Sequence, residues 1–427
     1  MLSYFAKEQH CRKVSNKHLN LSYFISKRIS RQQQQGFASS IHRIAIVIVG
    51  IGLASVIVSF LIMRGFQETV KEKIFGFNGH LIVTKYTMNY SLEEQPMNYY
   101  IDLYKNPDQY PFVRHTQQYA HKPGLIKTES DEILGVVLKG VGRSYDLTGF
   151  KGNIVEGKFI NLPDSGYSNE VVISRIIANK LQVKLGDDII IHFFHFQGPP
   201  RVRRLNISGI YETNLSEYFD SKFVLGDIRL IQRLNDWSDS IAGGLEVFLK
   251  DPSTIDEAGY AISETMDFDL NVESVSDKYV QVFEWLNLLS RQVNILLGVI
   301  LVVVSVNIVS IVLILVMERT QMIGMLKALG AGNRFIRRIF VYNGISLITK
   351  GLLLGNALGL GLCYLQYQFK LVRLNPHDYY MSFVPISWEW EIVAILNIFT
   401  FFVVTLVLLL PTMVIARINP IKAIRFD

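Results

Sequence analysis

The sequence is poor in cysteine and in charged residues. Its 427 residues include two cysteines, Cys11 and Cys363, and 19% are Asp, Glu, Lys or Arg, where a soluble domain has about 25%. Two cysteines cannot supply the disulfide framework of a small secreted domain. His192 and His195 are three residues apart in a strand pattern, so they point to opposite faces and cannot chelate one metal ion. No Ser/His/Asp or Cys/His constellation has a recognisable local context, and the sequence therefore predicts no catalytic residue and no metal site.

The sequence has instead four long apolar runs. Ile44–Met63, Val293–Met317 and Ile392–Leu410 contain no charged residue, and Val341–Leu365 contains only Lys350. About 20 helical residues cross a hydrocarbon core of about 30 Å. We therefore predict an integral membrane α-helical protein in a 1+3 order, with a large extracytoplasmic α+β domain between the first two helices. The predicted transmembrane helices are 41–63, 293–317, 341–365 and 392–410.

The distribution of charge predicts how these helices are oriented. Residues 1–43 carry eight Lys/Arg and one acidic residue, 318–338 carry five and one, and 417–427 carry three and one. Residues 64–292 carry 24 basic and 31 acidic residues, a net charge of −7. Because short loops rich in Lys/Arg stay in the cytoplasm, we expect both ends (1–40 and 411–427) and the 318–338 loop inside. The large domain and the 366–391 loop are then outside.

The predicted cytoplasmic N-terminus contains apolar residues at helical spacing. Leu21, Phe24, Ile25 and Ile29 recur beside basic residues. This pattern is typical of an amphipathic helix that lies on the inner leaflet. A basic topogenic tail with incidental apolar residues is the alternative.

The outer domain, 64–290, alternates strand and helix patterns. Their order, β-α-β-β, an insertion and then β-α-β, is typical of a split βαβ lobe. The insertion, at about 147–242, has strands and a helix of its own and predicts a second lobe. Residues 277–291 are apolar at helical spacing and run into the second span, which predicts a continuous stalk helix. Such a helix either transmits rigid-body motion or serves as a passive tether.

The cytoplasmic segment 318–331 combines an apolar helical stripe with a stop signal. The stripe consists of Met322, Met325, Leu326 and Leu329. Gly330 occupies the place of a helix C-cap glycine. A loop of about 20 residues offers no core for this face, so the helix either lies on lipid or enters a groove on a partner protein. Methionine suits an adaptable interface of the second kind.

The third span contains small residues at the spacing of a helix-packing face. Gly351, Gly355 and Gly359 form a doubled G-x-x-x-G motif, which lets another helix approach closely. That neighbour is either in the same chain or in another. Lys350 is either a functional intramembrane charge or a side chain that reaches back to the interface.

Several short motifs, in this order and with this topology, resemble a known family. The motifs are Arg64–Phe66, Phe75–His80, Val171–Ser174 with Leu185–Asp187, Asn307–Ile308, Glu318–Ala331 and Ala416–Arg425. Nearly the whole chain resembles the permease subunits of lipoprotein-releasing (Lol-type) ABC transporters. These belong to a superfamily that includes macrolide-exporter (MacB-like) and cell-division (FtsX-like) permeases.

The resemblance implies a mechanism of mechanotransmission. This chain would be no enzyme and bind no cofactor, whereas a separate cytoplasmic ATPase subunit would bind ATP and magnesium. Two permease chains, as a homodimer or a heterodimer, would sit in the bacterial inner membrane with their large domains in the periplasm. They would move an acylated lipoprotein off the outer leaflet toward a soluble periplasmic carrier. The implied ATPase-coupling residues are Glu318, Arg319, Met322, Ile323, Met325, Leu326, Lys327, Leu329, Gly330 and Ala331.

The resemblance also implies a substrate path and a carrier contact. The path residues would be Phe60, Met63, Phe66, Phe283, Leu286 and Leu289, with ordinary lipid- or helix-facing surface as the alternative. The carrier contact would be Phe194, Phe196, Pro199 and Pro200, with a plain β-turn as the alternative. The alternative functions are a MacB-like efflux permease for small molecules or peptides and an FtsX-like regulator of cell-wall hydrolases.

Overall fold

In the computed structural model of the chain, the described residues are 37–88, 93–127, 133–194 and 199–413. The predicted amphipathic helix, the motif at 416–425 and Phe196 lie outside them. The chain divides into two compact units. The helical unit contains the described residues up to Arg64, Leu289–Phe369 and those from Ile386 onward, and the sheet unit contains Gly65–Leu288 and Lys370–Pro385.

The described helices and strands are as follows. The helices are α1 (Phe37–Asn78), α2 (Asp102–Lys105), α3 (Leu147–Phe150), α4 (Arg175–Leu181), α5 (Ile228–Leu234), α6 (Ile255–Ser263), α7 (Val275–Lys278), α8 (Val280–Glu318), α9 (Thr320–Ala328), α10 (Asn333–Phe369), α11 (Pro376–Tyr379) and α12 (Trp390–Thr412). The strands are β1 (Leu81–Lys85), β2 (Met97–Asn98), β3 (Val113–Lys127), β4 (Ile133–Val141), β5 (Ile154–Gly157), β6 (Glu170–Ser174), β7 (Asp188–Phe193), β8 (Arg201–Tyr211), β9 (Phe223–Asp227), β10 (Ile241–Ala242), β11 (Gly244–Leu249) and β12 (Leu270–Ser274).

Among the described residues, four helices, α1, α8, α10 and α12, are long and apolar enough to cross a membrane. They contain the four predicted apolar runs. In α1 the helix continues through residues 65–78, because Val70, Ile74 and Phe77 keep helical spacing and are buried. It ends where Gly79 adopts a left-handed φ of 74° and its N–H bonds to the Phe75 carbonyl at 2.7 Å, which is an αL stop.

The helical unit packs around the small residues of α1 and α10. A Cβ atom placed on Gly351 would lie 2.6 Å from the Val49 side chain, and one on Gly355 would lie 2.8 Å from the Gly50 carbonyl oxygen. One on Gly359 would lie 3.1 Å from the Ala54 Cα. α1 of the same chain therefore packs on the glycine face of α10. The sequence alone left open which helix this neighbour is.

Two asparagines join α10 to α12 within the helical unit. Asn356 Nδ2 donates to Asn397 Oδ1 at 2.7 Å, and Asn397 Nδ2 donates back to Asn356 Oδ1 at 2.9 Å. Each amide also donates to the carbonyl four residues earlier in its own helix. Such paired amides stabilise helix association in an apolar environment. Sequence reasoning missed them, although an asparagine in each of two apolar runs is a visible signal.

The sheet unit contains one ten-stranded sheet and a two-stranded ribbon of β10 and β2. The strand order is β12-β1-β11-β3-β4-β9-β6-β8-β5, and β7 pairs with both β3 and β8. β4–β9 and β6–β8 are parallel pairs, and the other pairs are antiparallel.

The strands of the insertion at about 147–242 do not form a separate sheet but pair with strands of the main sheet. β3 is 15 residues long, so it extends beyond its partner β11, which ends its pairing at Tyr119. The rest of β3 pairs with β4 on one side and β7 on the other. The pairings β3–β4–β9–β6–β8–β7–β3 close a ring, and its interior residues join the other strands in one hydrophobic cluster.

Candidate functional site

α9 begins after Arg319 and ends in a Schellman motif. Gly330 has a φ of 88°, and its N–H bonds to the Lys327 carbonyl at 3.0 Å. The Ala331 N–H bonds to the Leu326 carbonyl at 2.9 Å. These two bonds satisfy carbonyls that a helix end leaves without partners. Gly330 therefore terminates α9 because glycine adopts the left-handed region at little cost.

The apolar residues of α9 lie on two faces. Ile323 is fully buried, and Met322 and Leu326 pack against the hydrophobic cluster of the helical unit. Met325 and Leu329 are 55% and 84% exposed. The prediction that this face finds no core in its own chain is therefore wrong for half of the stripe. The helical unit itself fixes α9, and the exposed half presents Met325 and Leu329 outward.

The remaining predicted coupling residues differ in exposure. Glu318 and Gly330 are exposed, Arg319 and Lys327 are half-buried, and Ala331 packs against the helical cluster. Lys350, on α10, is exposed as well.

The Phe75–His80 motif forms the joint between α1 and the sheet. After the turn at Gly79, the His80 N–H donates to the Val247 carbonyl at 2.8 Å, and the His80 carbonyl accepts from the Val275 N–H at 3.0 Å. His80 Nδ1 accepts from the Leu249 N–H at 3.1 Å. One residue of the motif thus bonds to β11 and to the start of α7, which attaches the end of α1 to both elements.

A buried ion pair contacts the C-terminal end of α1. Lys139 and Glu246 are 0% and 1% exposed, and their Nζ and Oε1 atoms are 2.5 Å apart. Lys139 also donates to the Phe77 carbonyl, one of the last carbonyls of α1, and its Nζ lies 4.4 Å from the centre of the Phe77 ring. Gln117 Nε2 donates to Glu246 Oε2 at 2.7 Å. A cation at a helix C-terminus complements the helix dipole, and burial of the pair demands these additional bonds.

Sequence reasoning missed this network. Its only local signal is Lys139 in an otherwise apolar strand, β4. A lysine is almost never fully buried unless it is paired, so a charge at a strand position of this kind indicates a buried partner. The partner, Glu246, is 107 residues away and could not be chosen from the sequence.

Within the sheet unit, the outer part of α1 lies along the first turns of α8. Gln67 Nε2 donates to the Leu286 carbonyl at 2.8 Å. The Phe66 and Trp285 rings are 5.4 Å apart, and the Phe75 and Phe283 rings are 5.7 Å apart.

The predicted substrate-path residues differ in their surroundings. Leu286 is fully buried, and its carbonyl accepts the bond from Gln67 of α1. Phe66 and Phe283 are half-buried against α8 and α1. Phe60 packs against the helical cluster, and Met63 and Leu289 are half-buried in the helical unit.

The predicted carrier contact lies at the β7–β8 hairpin. Phe194 is 50% exposed, and Pro199 and Pro200 are exposed. Arg201 fixes the base of the hairpin, since it donates to the Leu234 carbonyl at 2.7 Å and to Asp236 Oδ2 at 2.7 Å. Among the described residues, no group of three or more His, Cys, Asp or Glu side chains could hold a metal ion.

Comparisons with known proteins agree with this architecture. The family model described as MacB-like periplasmic core domain matches residues 44–265, more than half of the chain, and the one described as FtsX-like permease C-terminal matches residues 294–420. The chain is similar to the lipoprotein-releasing system transmembrane protein LolE of Haemophilus influenzae, at 22% identity over 87% of this chain and 91% of that protein. It is also similar to LolC of Xylella fastidiosa, at 22% identity over 96% of this chain and 98% of that protein.

Among solved structures, the periplasmic region of MacB from Actinobacillus actinomycetemcomitans overlaps 48% of this chain and 92% of that chain. The identity is 12% and the TM-score 0.31, a likeness too weak to carry an argument. The family therefore rests on the sequence matches. By those matches, the chain belongs to the MacB/FtsX permease superfamily, as a permease of the LolC/LolE type.

Proposed function

We propose that this chain is the permease subunit of an ABC transporter that extracts lipoproteins from the outer leaflet of the bacterial inner membrane. The observation that carries this proposal is similarity along nearly the whole chain to proteins named for lipoprotein release. The match to LolC of Xylella fastidiosa covers 96% of this chain and 98% of that protein. Two family models also match in the order expected for such a permease.

We further propose the 1+3 membrane topology, with α1 crossing before the sheet unit and α8, α10 and α12 crossing after it. The charge distribution supports this arrangement, because residues 318–338 carry five Lys/Arg and one acidic residue. By the positive-inside rule, α9 is then cytoplasmic and the sheet unit periplasmic.

The free energy needed for extraction requires a source of energy outside this chain. Removing acyl chains from lipid costs about 0.8 kcal/mol per CH₂ group, so a multi-acylated lipoprotein costs tens of kcal/mol in gross terms. We assign this work to a separate cytoplasmic ATPase, which binds ATP and magnesium. Two permease chains, as a homodimer or heterodimer, would transmit its motion to the substrate.

α9 is the proposed docking surface for that ATPase. Its inner face is fixed in the helical unit by Ile323, Met322 and Leu326, whereas Met325 and Leu329 are exposed. Apolar side chains on a rigidly held short helix suit insertion into a groove on a partner. A force on this surface passes into the helices because α9 is packed on them.

The proposed function is tested by reconstitution. The full-length permease and its ATPase are placed in vesicles that contain a triacylated lipoprotein, and transfer to a soluble acceptor is measured with and without ATP. We expect ATP-dependent transfer, and none with an ATPase variant that binds but does not hydrolyse ATP. ATP-dependent movement of peptides or small molecules without lipoprotein transfer would instead support an efflux pump. Filamentous depleted cells with normally sorted lipoproteins would support a regulator of cell-wall hydrolases.

A further inference from the structure

The segment that connects α10 to α12 forms a small folded element of the sheet unit. Residues 370–385 belong to that unit. The Leu374 N–H donates to the Ser382 carbonyl at 3.0 Å, and the Val384 N–H donates to the Val372 carbonyl at 3.2 Å. These bonds close the segment into a hairpin around α11.

One lysine of α1 contacts this segment and a second, distant turn. Lys73 Nζ donates to the Tyr380 carbonyl at 2.8 Å and to the Thr213 carbonyl at 2.6 Å. Tyr380 has a φ of 59°, a left-handed conformation at the end of α11. Three chain segments that are far apart in sequence therefore meet at one amine.

The turn that supplies the Thr213 carbonyl is itself hydrogen-bonded to a buried carboxylate. Asp220 is 1% exposed, and its carboxylate accepts from the Thr213 N–H at 3.2 Å and from Thr213 Oγ1 at 2.7 Å. Burial lowers the pKa of Lys73 from 10.5 to about 8, and the nearby carboxylates of Asp220 and Glu212 oppose that shift. The amine is thus held on one side by a fixed acceptor and binds the 370–385 segment on the other.

Aromatic contacts place the Tyr380 side chain beside the start of α8. Its ring centre lies 5.8 Å from that of Trp285 and 6.3 Å from that of Tyr218. Apolar packing alone is non-directional, whereas the two bonds from Lys73 fix position. The segment is therefore both packed on the sheet unit and positioned by one side chain.

We propose that Lys73 is a positioning residue that attaches the 370–385 segment to α1, so that a displacement of α1 also displaces the connection between α10 and α12. This inference rests on the proposed function, in which movement of the helices drives extraction. Movement of α1 is then transmitted to this segment as well as to the sheet, which it reaches through the joint at Phe75–His80. Loss of the amine uncouples the segment and leaves the sheet intact.

The test compares Lys73→Met, which keeps the length of the side chain and removes its donors, with Lys73→Arg, which keeps charge and donors. Both are made in the full chain bound to its ATPase. The first measurement is hydrogen exchange of the amides in 372–384. We expect Lys73→Met to raise their exchange at least tenfold, with exchange in β3 and β4 unchanged and with recovery in Lys73→Arg. Lys180→Met, at an exposed lysine of the same unit, is the matched control.

The second measurement is lipoprotein released per ATP hydrolysed in the vesicle assay. We expect at least a threefold lower ratio for Lys73→Met at an unchanged ATPase rate. Unchanged exchange in 372–384, or raised exchange with an unchanged ratio, overturns the proposal. If Lys73→Met does not fold, Lys73→Gln supplies the same comparison with a polar end. If the wild type releases no lipoprotein, the proposed function fails, and the exchange experiment still tests the attachment.

Discussion

His80 is the residue on which the joint between α1 and the sheet depends. Its backbone bonds to Val247 and Val275, and its Nδ1 accepts from the Leu249 N–H. Burial, assisted by the nearby Arg114 guanidinium, lowers the pKa of His80 from 6.5 to about 4. The ring therefore stays neutral in the folded chain and acts as an acceptor.

This pKa predicts an acid sensitivity of the sheet unit. The unfolded chain takes up the proton near pH 6.5 and the folded chain only near pH 4. The contribution of neutral His80 to the free energy of unfolding is therefore complete above pH 6.5 and is lost as the pH falls to 4. This contribution is at most about 3 kcal/mol. In His80→Asn, the amide oxygen can replace Nδ1 as an acceptor and does not titrate. The measurement is hydrogen exchange of β1 and β11 in the full chain, corrected for the intrinsic effect of pH. As the pH falls from 6.5 to 4.5, we expect this exchange to rise less in His80→Asn than in the wild type.

His115→Asn is the control for losing a histidine elsewhere in the sheet. Parallel pH profiles for the wild type and His80→Asn would contradict the assignment of the sensitivity to His80.

Single residues also show what the sequence could predict. The motif Phe75–His80 was visible as a family signature, but its role depends on bonds to Val247 and Leu249, about 170 residues away. Lys139 and Glu246 could not be paired for the same reason. The C-terminus of α9, by contrast, was predictable from the sequence. Gly330 ends this helix through its left-handed conformation and through hydrogen bonds to carbonyls of the same helix.

At the scale of elements, the close contact between α1 and α10 depends on glycine residues, which have no side chain. Gly355 approaches the Gly50 carbonyl so closely that an added Cβ would lie 2.8 Å away. Gly361, on the same helix, has nothing within 4 Å. The sequence predicted that a helix packs on this glycine face, because the spacing of small residues is local. It left the identity of that helix open.

These two glycines provide a matched pair of substitutions. We expect Gly355→Ala to destabilise the helical unit by about 1–3 kcal/mol, because a backbone carbonyl cannot move aside easily. Gly361→Ala should be neutral or stabilising by up to about 1 kcal/mol, since alanine favours the helix. Thermal unfolding of the full chain in detergent measures both. Equal melting temperatures would show that α1 and α10 are not packed this closely.

The apolar stripe of α9 shows the limit of helical periodicity. The pattern predicted the helix and its end, and both are present. It did not show that Met322 and Leu326 face the helical cluster whereas Met325 and Leu329 face outward. A stripe defined by spacing spans about 100° of the helix, which is wide enough to be divided between two surroundings.

At the scale of the whole molecule, the same limit applies to the sheet. Most strands could be predicted from alternation and turn residues, but the pairing of the insertion's strands with the main sheet could not. The parallel pairing of β4 with β9 and the pairing of β3 with β7 join the insertion to the main sheet. Such pairings are set by long-range packing and leave no periodic signal in either strand.

The charge pattern and the exposed half of α9 together make a prediction about assembly. Met325→Glu and Leu329→Glu are expected to weaken binding of the ATPase at least tenfold, because each places a carboxylate in a proposed apolar groove. Their side chains are 55% and 84% exposed, so the helical unit should remain folded. Leu326→Glu would be harder to interpret, since Leu326 packs inside the unit. Affinity is measured by co-purification and titration of the full-length permease with its ATPase.

The matched control is Met88→Glu, the same change at a methionine of the sheet unit that is 85% exposed. It should leave ATPase binding intact, because the proposed topology places it on the other side of the membrane. A photo-crosslinker at position 325 supplies an independent measurement. Crosslinks to the ATPase agree with docking, whereas crosslinks to phospholipid alone, with binding unchanged in both α9 variants, would mean that α9 lies on the membrane. The energy for extraction would then have to reach this subunit by another surface.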